Sequence, residues 1–136
     1  MIKIIYGSKG TGKTKRIIDM ANKALDTTDG FIVFLADTDR YVREIKYAIR
    51  FINTKKAGIK GEDNLIGFIK GLINGNYDTK EMFIDGAARM LEKDIPQMGS
   101  FMEQLEKISK EYDIEFILTI SCDKEDLPGF FDKYTE

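Results

Sequence analysis

The sequence predicts an α/β domain: a mostly parallel, five-stranded sheet with helices on both faces. Three observations predict it. Short apolar runs alternate with stretches of helical periodicity through the whole chain, the pattern of strand–helix–strand units. Three of the runs, residues 2–6, 31–36 and 116–121, are nearly continuous in apolar residues, as suits strands buried on both faces. The 136 residues, 43% hydrophobic and 32% charged, are enough for one domain with its own core. A single domain over residues 1–136 is therefore expected.

The five predicted strands are residues 2–6, 31–36, 49–53, 82–85 and 116–121. The first predicted helix covers residues 14–25 and places Ile17, Ile18, Ala21, Ala24 and Leu25 on one face. The second runs over residues 39–48, with Tyr41, Ile45 and Ala48 in register. The third turns Leu65, Ile66, Phe68, Ile69, Leu72 and Ile73 inward and stops near Gly75. Its Gly67 and Gly71 read as close helix–sheet packing. The fourth, residues 96–112, carries Met98, Phe101, Met102, Leu105, Ile108 and Tyr112 at helical spacing, with Asp94 ahead of Pro96 as its cap. Its Met and aromatic stripe reads as core.

Charge and cysteine content exclude several classes. The net charge is −2, which does not point to nucleic acid. Residues 37–60 carry seven positive and three negative residues, and residues 101–136 four positive and ten negative; both read as solvated faces. Cys122 is the only cysteine, so no internal disulfide forms, and without histidine zinc lacks its usual ligands. No leader peptide or membrane span is expected, which makes the cytoplasm the default compartment.

One motif carries the chemistry. Gly7-Ser8-Lys9-Gly10-Thr11-Gly12-Lys13-Thr14 fits G-x-x-x-x-G-K-[ST] at every fixed position, after an apolar strand and before an amphipathic helix. Glycines let backbone N–H groups close around phosphates, and helix N-terminal amides add partial positive charge. Lys13, with Lys15 behind it, would meet the β- and γ-phosphates of a nucleoside triphosphate, and the Thr14 hydroxyl would ligate Mg²⁺. In Glu81-Met-Phe-Ile-Asp85 a short apolar strand ends in an acid, the Walker B pattern, and Asp85 would hold the metal through a coordinated water.

Gly86 follows Asp85, where many related ATPases carry a glutamate that orients the attacking water. The nearest substitutes are Asp37 and Asp39, just past the second strand. Asp37 reads either as that acid or as a cap or turn residue. Lys13 and Asp37 are thus the candidate catalytic residues. Thr119 and Ser121 share one face of the last strand. They read either as γ-phosphate sensors or as hydroxyls that satisfy nearby backbone carbonyls. Arg89 is the candidate for an arginine contact with phosphate, against a plain solvated reading on the next helix.

These motifs resemble the P-loop NTPase superfamily, and two of its subgroups in particular. The RecA-like group can carry its catalytic acid at the end of a strand beside Walker B, which corresponds here to Asp37. The thymidine-kinase type has counterparts of Ile5-Tyr6-Gly7, of residues 36–41 and of Phe83-Ile84-Asp85. Two features depart from those kinases: Gly86 replaces the base for the nucleoside hydroxyl, and a single cysteine cannot build their cysteine-paired zinc lobe. The chain is also similar to small bacterial ATP-binding proteins, a likeness that implies nucleotide binding and no particular reaction.

The resemblance implies a RecA-like sheet in the order 49–53, 31–36, 82–85, 116–121, 2–6. It also implies ATP and Mg²⁺ as ligands, with slow or partner-dependent hydrolysis in a nucleotide-state switch or subunit. The expected partners are the triphosphate and either a second protein or further copies of this chain, with neither membrane nor nucleic acid. The alternatives are an ATPase using Asp37, and a small-molecule kinase whose acceptor is held by residues 37–60.

Overall fold

Side chains alternate across a strand, so five strands buried on both faces demand two separate cores. The computed structural model describes residues 1–135 and has that arrangement. Its elements are β1 (Ile2–Gly7), α1 (Lys13–Ala24), β2 (Phe31–Ala36), β3 (Arg50–Asn53), α2 (Glu62–Gly75), β4 (Thr79–Asp85), α3 (Ala87–Leu91), α4 (Gly99–Tyr112) and β5 (Glu115–Ser121). The sheet order is β1-β5-β4-β2-β3, and every strand pairing is parallel. This is the predicted order, read from the other edge.

The two faces are covered unequally. Val33, Leu35, Met82, Ile84, Phe116, Leu118 and Ile120 point to one face, beneath α2, α3, α4 and Phe131 and Tyr134 of the C-terminal 3₁₀ turn Gly129–Tyr134. Ile5, Ile32, Phe34, Phe83 and Ile117 point to the other, where α1 is the only α-helix among the described residues. There Ile17, Ile18 and Ala21 of α1 are all at most 3% exposed. Phe34 stacks between Phe51 and Phe83, with ring centroids 6.3 Å apart on each side. Such offset aromatic rows fill a flat sheet face well.

The predicted helix over residues 39–48 does not form. Only Val42–Glu44 makes a single 3₁₀ turn, and Ile45 is already extended at φ −97°, ψ 126°. Asn22 of α1 explains the outcome. Its Nδ2 donates to the Glu44 carbonyl at 2.9 Å, and its Oδ1 accepts the Lys46 N–H at 2.9 Å. These bonds take the backbone groups a helix would have used. Ile45 and Ile49 are still buried, at 8% and 4% exposure, through turns rather than helical spacing. The third strand consequently starts at Arg50, leaving Ile49 in the turn.

The last predicted helix also starts later. Asp94 caps a 3₁₀ turn, Ile95–Gln97, in a capping box with Gln97, and α4 proper begins at Gly99. A partly buried carboxylate joins this region to α2. Glu62 accepts from Lys93 Nζ at 2.7 Å, Ser100 Oγ at 2.7 Å and Gln104 Nε2 at 2.6 Å. Burial pushes the Glu62 carboxyl up, but the bonds and charge of Lys93, with Ser100 and Gln104, outweigh it and hold it below the ordinary glutamate range.

A carboxyl depressed in the fold stabilises it above the unfolded pKa of about 4.3, and that contribution is lost as pH falls through the folded value. Glu62→Ala is therefore expected to lower unfolding free energy by about 1–3 kcal/mol at neutral pH. In urea titrations the gap to wild type should close as pH falls below about 4; a gap independent of pH would contradict this account.

Candidate functional site

In an open parallel sheet the carboxyl ends of the strands carry the free loops, and ligands bind there. Four of these ends converge. Ala36 is in register with Asp85, Ile84 with Leu118, and Gly7 with Ser121. The loop after β1 and the start of α1 close over them and leave a cleft of about 610 Å³. Lys9, Gly10, Gly12, Lys13, Thr14 and Lys15 line one wall; Asp85, Arg89, Thr119 and Ser121 line the other.

The loop owes its shape to local chemistry. Gly12 is the N-cap of α1 at φ 82°, a left-handed conformation that disfavours any side chain. A Cβ at Gly7 would lie 2.7 Å from the Thr11 hydroxyl. That hydroxyl donates to the Ser8 carbonyl at 2.7 Å, and Lys13 Nζ donates to the same carbonyl at 2.9 Å. Lys13 is 9% exposed. Burial lowers its pKa; Asp85 partly opposes this, and Arg89 adds to it. No side chain caps the first turn of α1, and no acid lies in it.

Asp85 is the point where the walls meet. It is 5% exposed, on the α1 side of the sheet with Phe83. Thr14 Oγ1 donates to its Oδ2 at 3.1 Å, and Thr119 Oγ1 donates to its Oδ1 at 2.7 Å. The same Thr119 oxygen accepts the Gly86 N–H at 2.9 Å. Thr119 thus serves a buried carboxylate and a backbone amide, neither of the two roles considered from sequence. Thr14 and Asp85 present a hydroxyl and a carboxylate together on the cleft wall, a hard-oxygen pair of the kind Mg²⁺ takes alongside phosphate and water. Ser121 is exposed at the cleft beside Gly7.

Asp37 stands one residue beyond the register pair Ala36–Asp85, as its place after β2 requires. Its carboxylate is engaged on both oxygens by Arg89, with Nε to Oδ2 at 2.8 Å and a terminal guanidinium nitrogen to Oδ1 at 3.2 Å. Bonding to Asp37 raises the Arg89 pKa above its ordinary value, against the opposing effect of partial burial. Asp39 faces away: it accepts from Asn53 Nδ2 at 3.0 Å and pairs with Lys56, which holds its carboxyl below the usual aspartate range.

Gly86 makes the Arg89 pose feasible. It has φ 90°, and a Cβ there would lie 2.1 Å from the Arg89 guanidinium. Sequence reasoning treated Gly86 as the loss of a carboxylate; in the fold it is the platform on which Arg89 lies. It singled out none of Thr38, Arg40, Tyr41 and Glu44, which also line the cleft and fall within the stretch 37–60 considered for a kinase acceptor. The signal for them was their position directly after β2, and the helical reading of residues 39–48 obscured it.

No protein-family model matches the chain. No curated protein sequence matches it. Solved structures do. One is the flagellar accessory protein FlaH from Methanocaldococcus jannaschii, at TM-score 0.62 and 15% identity. That alignment covers 95% of this chain and 63% of FlaH, so the chain spans under two thirds of that protein's length. At this identity the likeness shows the fold, a five-stranded parallel α/β sheet of the RecA-like kind. No helix among the described residues is long and apolar enough to cross a membrane.

Thr119→Val keeps the shape of the side chain and removes its hydroxyl, leaving the Gly86 N–H and a carboxylate oxygen of Asp85 without a buried partner. Stability is expected to fall by about 1–3 kcal/mol in chemical denaturation, and Thr119→Ser to recover most of it. A loss in Thr119→Ser with none in Thr119→Val would show that the methyl group, not the hydrogen bonds, matters.

Proposed function

We propose that the chain binds ATP with Mg²⁺ in the cleft at the start of α1. We further propose that hydrolysis is slow or depends on a partner, so that the bound nucleotide sets a state read by another protein or another copy of this chain. One observation carries the reading. The first turn of α1 holds Lys13, Lys15 and Arg16, has no acid and no side-chain cap, and opens from a glycine loop onto the cleft. Cations at a helix N-terminus oppose the helix dipole. A polyanion in the cleft would reverse that penalty and satisfy the free amides.

In this reading the loop from Gly7 to Lys15 cradles the phosphates, and Lys13 leaves the Ser8 carbonyl to meet them. Thr14 and Asp85 are the residues that would hold Mg²⁺, which when bound would offset charge on the β- and γ-phosphates. Thr119 keeps the Asp85 carboxylate oriented from behind. Slow turnover follows from the same surroundings. Gly86 supplies no carboxylate beside Asp85. The parts that remain bind ground state and transition state more evenly, which favours affinity over rate.

Lys13→Ala should lower ATP affinity at least about tenfold by calorimetry, since charge-assisted phosphate contacts contribute about 1.5–3 kcal/mol each. Equal affinity would remove the assignment. Thr14→Ala and Asp85→Ala should each weaken the Mg²⁺ dependence of binding more than metal-free binding. If Asp85→Ala lowers stability alone, its role is structural. Turnover by the purified chain should lie well below about 10 per second; brisk hydrolysis would contradict the switch reading and indicate an unrecognised base.

A further inference from the structure

The Asp37–Arg89 pair is more than a surface contact. The Arg89 side chain is 56% exposed and that of Asp37 25%. Exposed pairs held on long side chains are weak, yet this one is bidentate and joins the residue after β2 to α3. It lies over a glycine whose missing side chain makes room for it. Arg89 also lines two cavities at once: the cleft of Lys13 and Asp85, and a smaller pocket of about 220 Å³ that reaches Lys93 and Ile95. It is close enough to Lys13 and Asp85 for each charge to be felt.

Resting on the nucleotide reading above, we propose that Arg89 is the residue by which this chain tells a triphosphate from a diphosphate, and that Asp37 sets the strength of that preference by competing for the same guanidinium. The geometry supports the competition. A phosphate chain anchored on the amides of α1 and running past Lys13 to the Thr14–Asp85 pair presents its terminal group to the wall that holds Arg89. Phosphate and carboxylate both take a guanidinium through two parallel N–H bonds, so Arg89 bonded in that way to one is withdrawn from the other. A diphosphate ends short of this wall and leaves the ion pair closed. When a triphosphate draws Arg89 away, the Asp37 carboxylate is released beside the terminal phosphate.

Competition has a signature that a structural ion pair lacks. Affinities for ATP and ADP, each with Mg²⁺, are measured by calorimetry on wild type, Asp37→Asn, Arg89→Ala, Arg89→Lys and the double variant Asp37→Asn/Arg89→Ala. Arg89→Ala should reduce the preference for ATP over ADP about tenfold, with partial recovery in Arg89→Lys. Asp37→Asn, which removes the competing charge, should increase that preference about threefold. The double variant should behave as Arg89→Ala does. An ATP preference unmoved by Arg89→Ala, or unchanged or reduced in Asp37→Asn, would overturn the proposal while leaving nucleotide binding intact. Failure of the wild type to bind either nucleotide would remove the nucleotide reading and this inference together.

Discussion

The buried carboxylate of Asp85 is the constraint on which the rest of the site depends. Its two oxygens are taken by hydroxyls from different elements, Thr14 of α1 and Thr119 of β5. A carboxylate at 5% exposure is costly unless its lone pairs are met. Satisfying it therefore fixes where α1 begins relative to the sheet and how β5 ends relative to β4. The glycine loop is stretched between the same points, from the end of β1 to the first turn of α1. Its geometry follows from that anchoring as much as from its own residues.

What could be read in the sequence was whatever depends on local pattern. The loop from Gly7 to Thr14 and the strand ending at Asp85 rest on spacing and on apolar runs; the sheet order, implied by the resemblance those motifs carry, is the one observed. Residues 39–48 misled because Tyr41, Ile45 and Ala48 are spaced as on a helix, whereas Asn22, more than twenty residues away, takes the backbone bonds that decide the matter. Local periodicity holds no information about such a partner. The Asp37–Arg89 pair was hidden for the same reason, its members standing 52 positions apart. Each residue could be flagged by its position after a strand, but not their mutual engagement.

Gly86 shows the difference between a motif and its surroundings. As a letter it marks a missing carboxylate. In space it combines a left-handed backbone with a guanidinium lying where a side chain would start. A glutamate at that position would meet unfavourable φ and lose the Arg89 pose together. The space that a side chain at position 86 would enter is thus held by the Arg89 guanidinium.

The pairing of β1 with β5 has a consequence for how the molecule assembles. Ile2 lies beside Phe116, and β1 makes its strand contacts at the sheet edge with β5 alone. The strand that leads into the glycine loop can be seated only after a closure spanning more than a hundred residues, and contacts of such long range form slowly. β2, β3 and β4 can associate earlier through shorter connections. The glycine loop and its cleft are therefore among the last features to take shape as the chain folds. A chain whose β1 has not yet docked on β5 has no such cleft, so a ligand of the cleft stabilises only the finished fold.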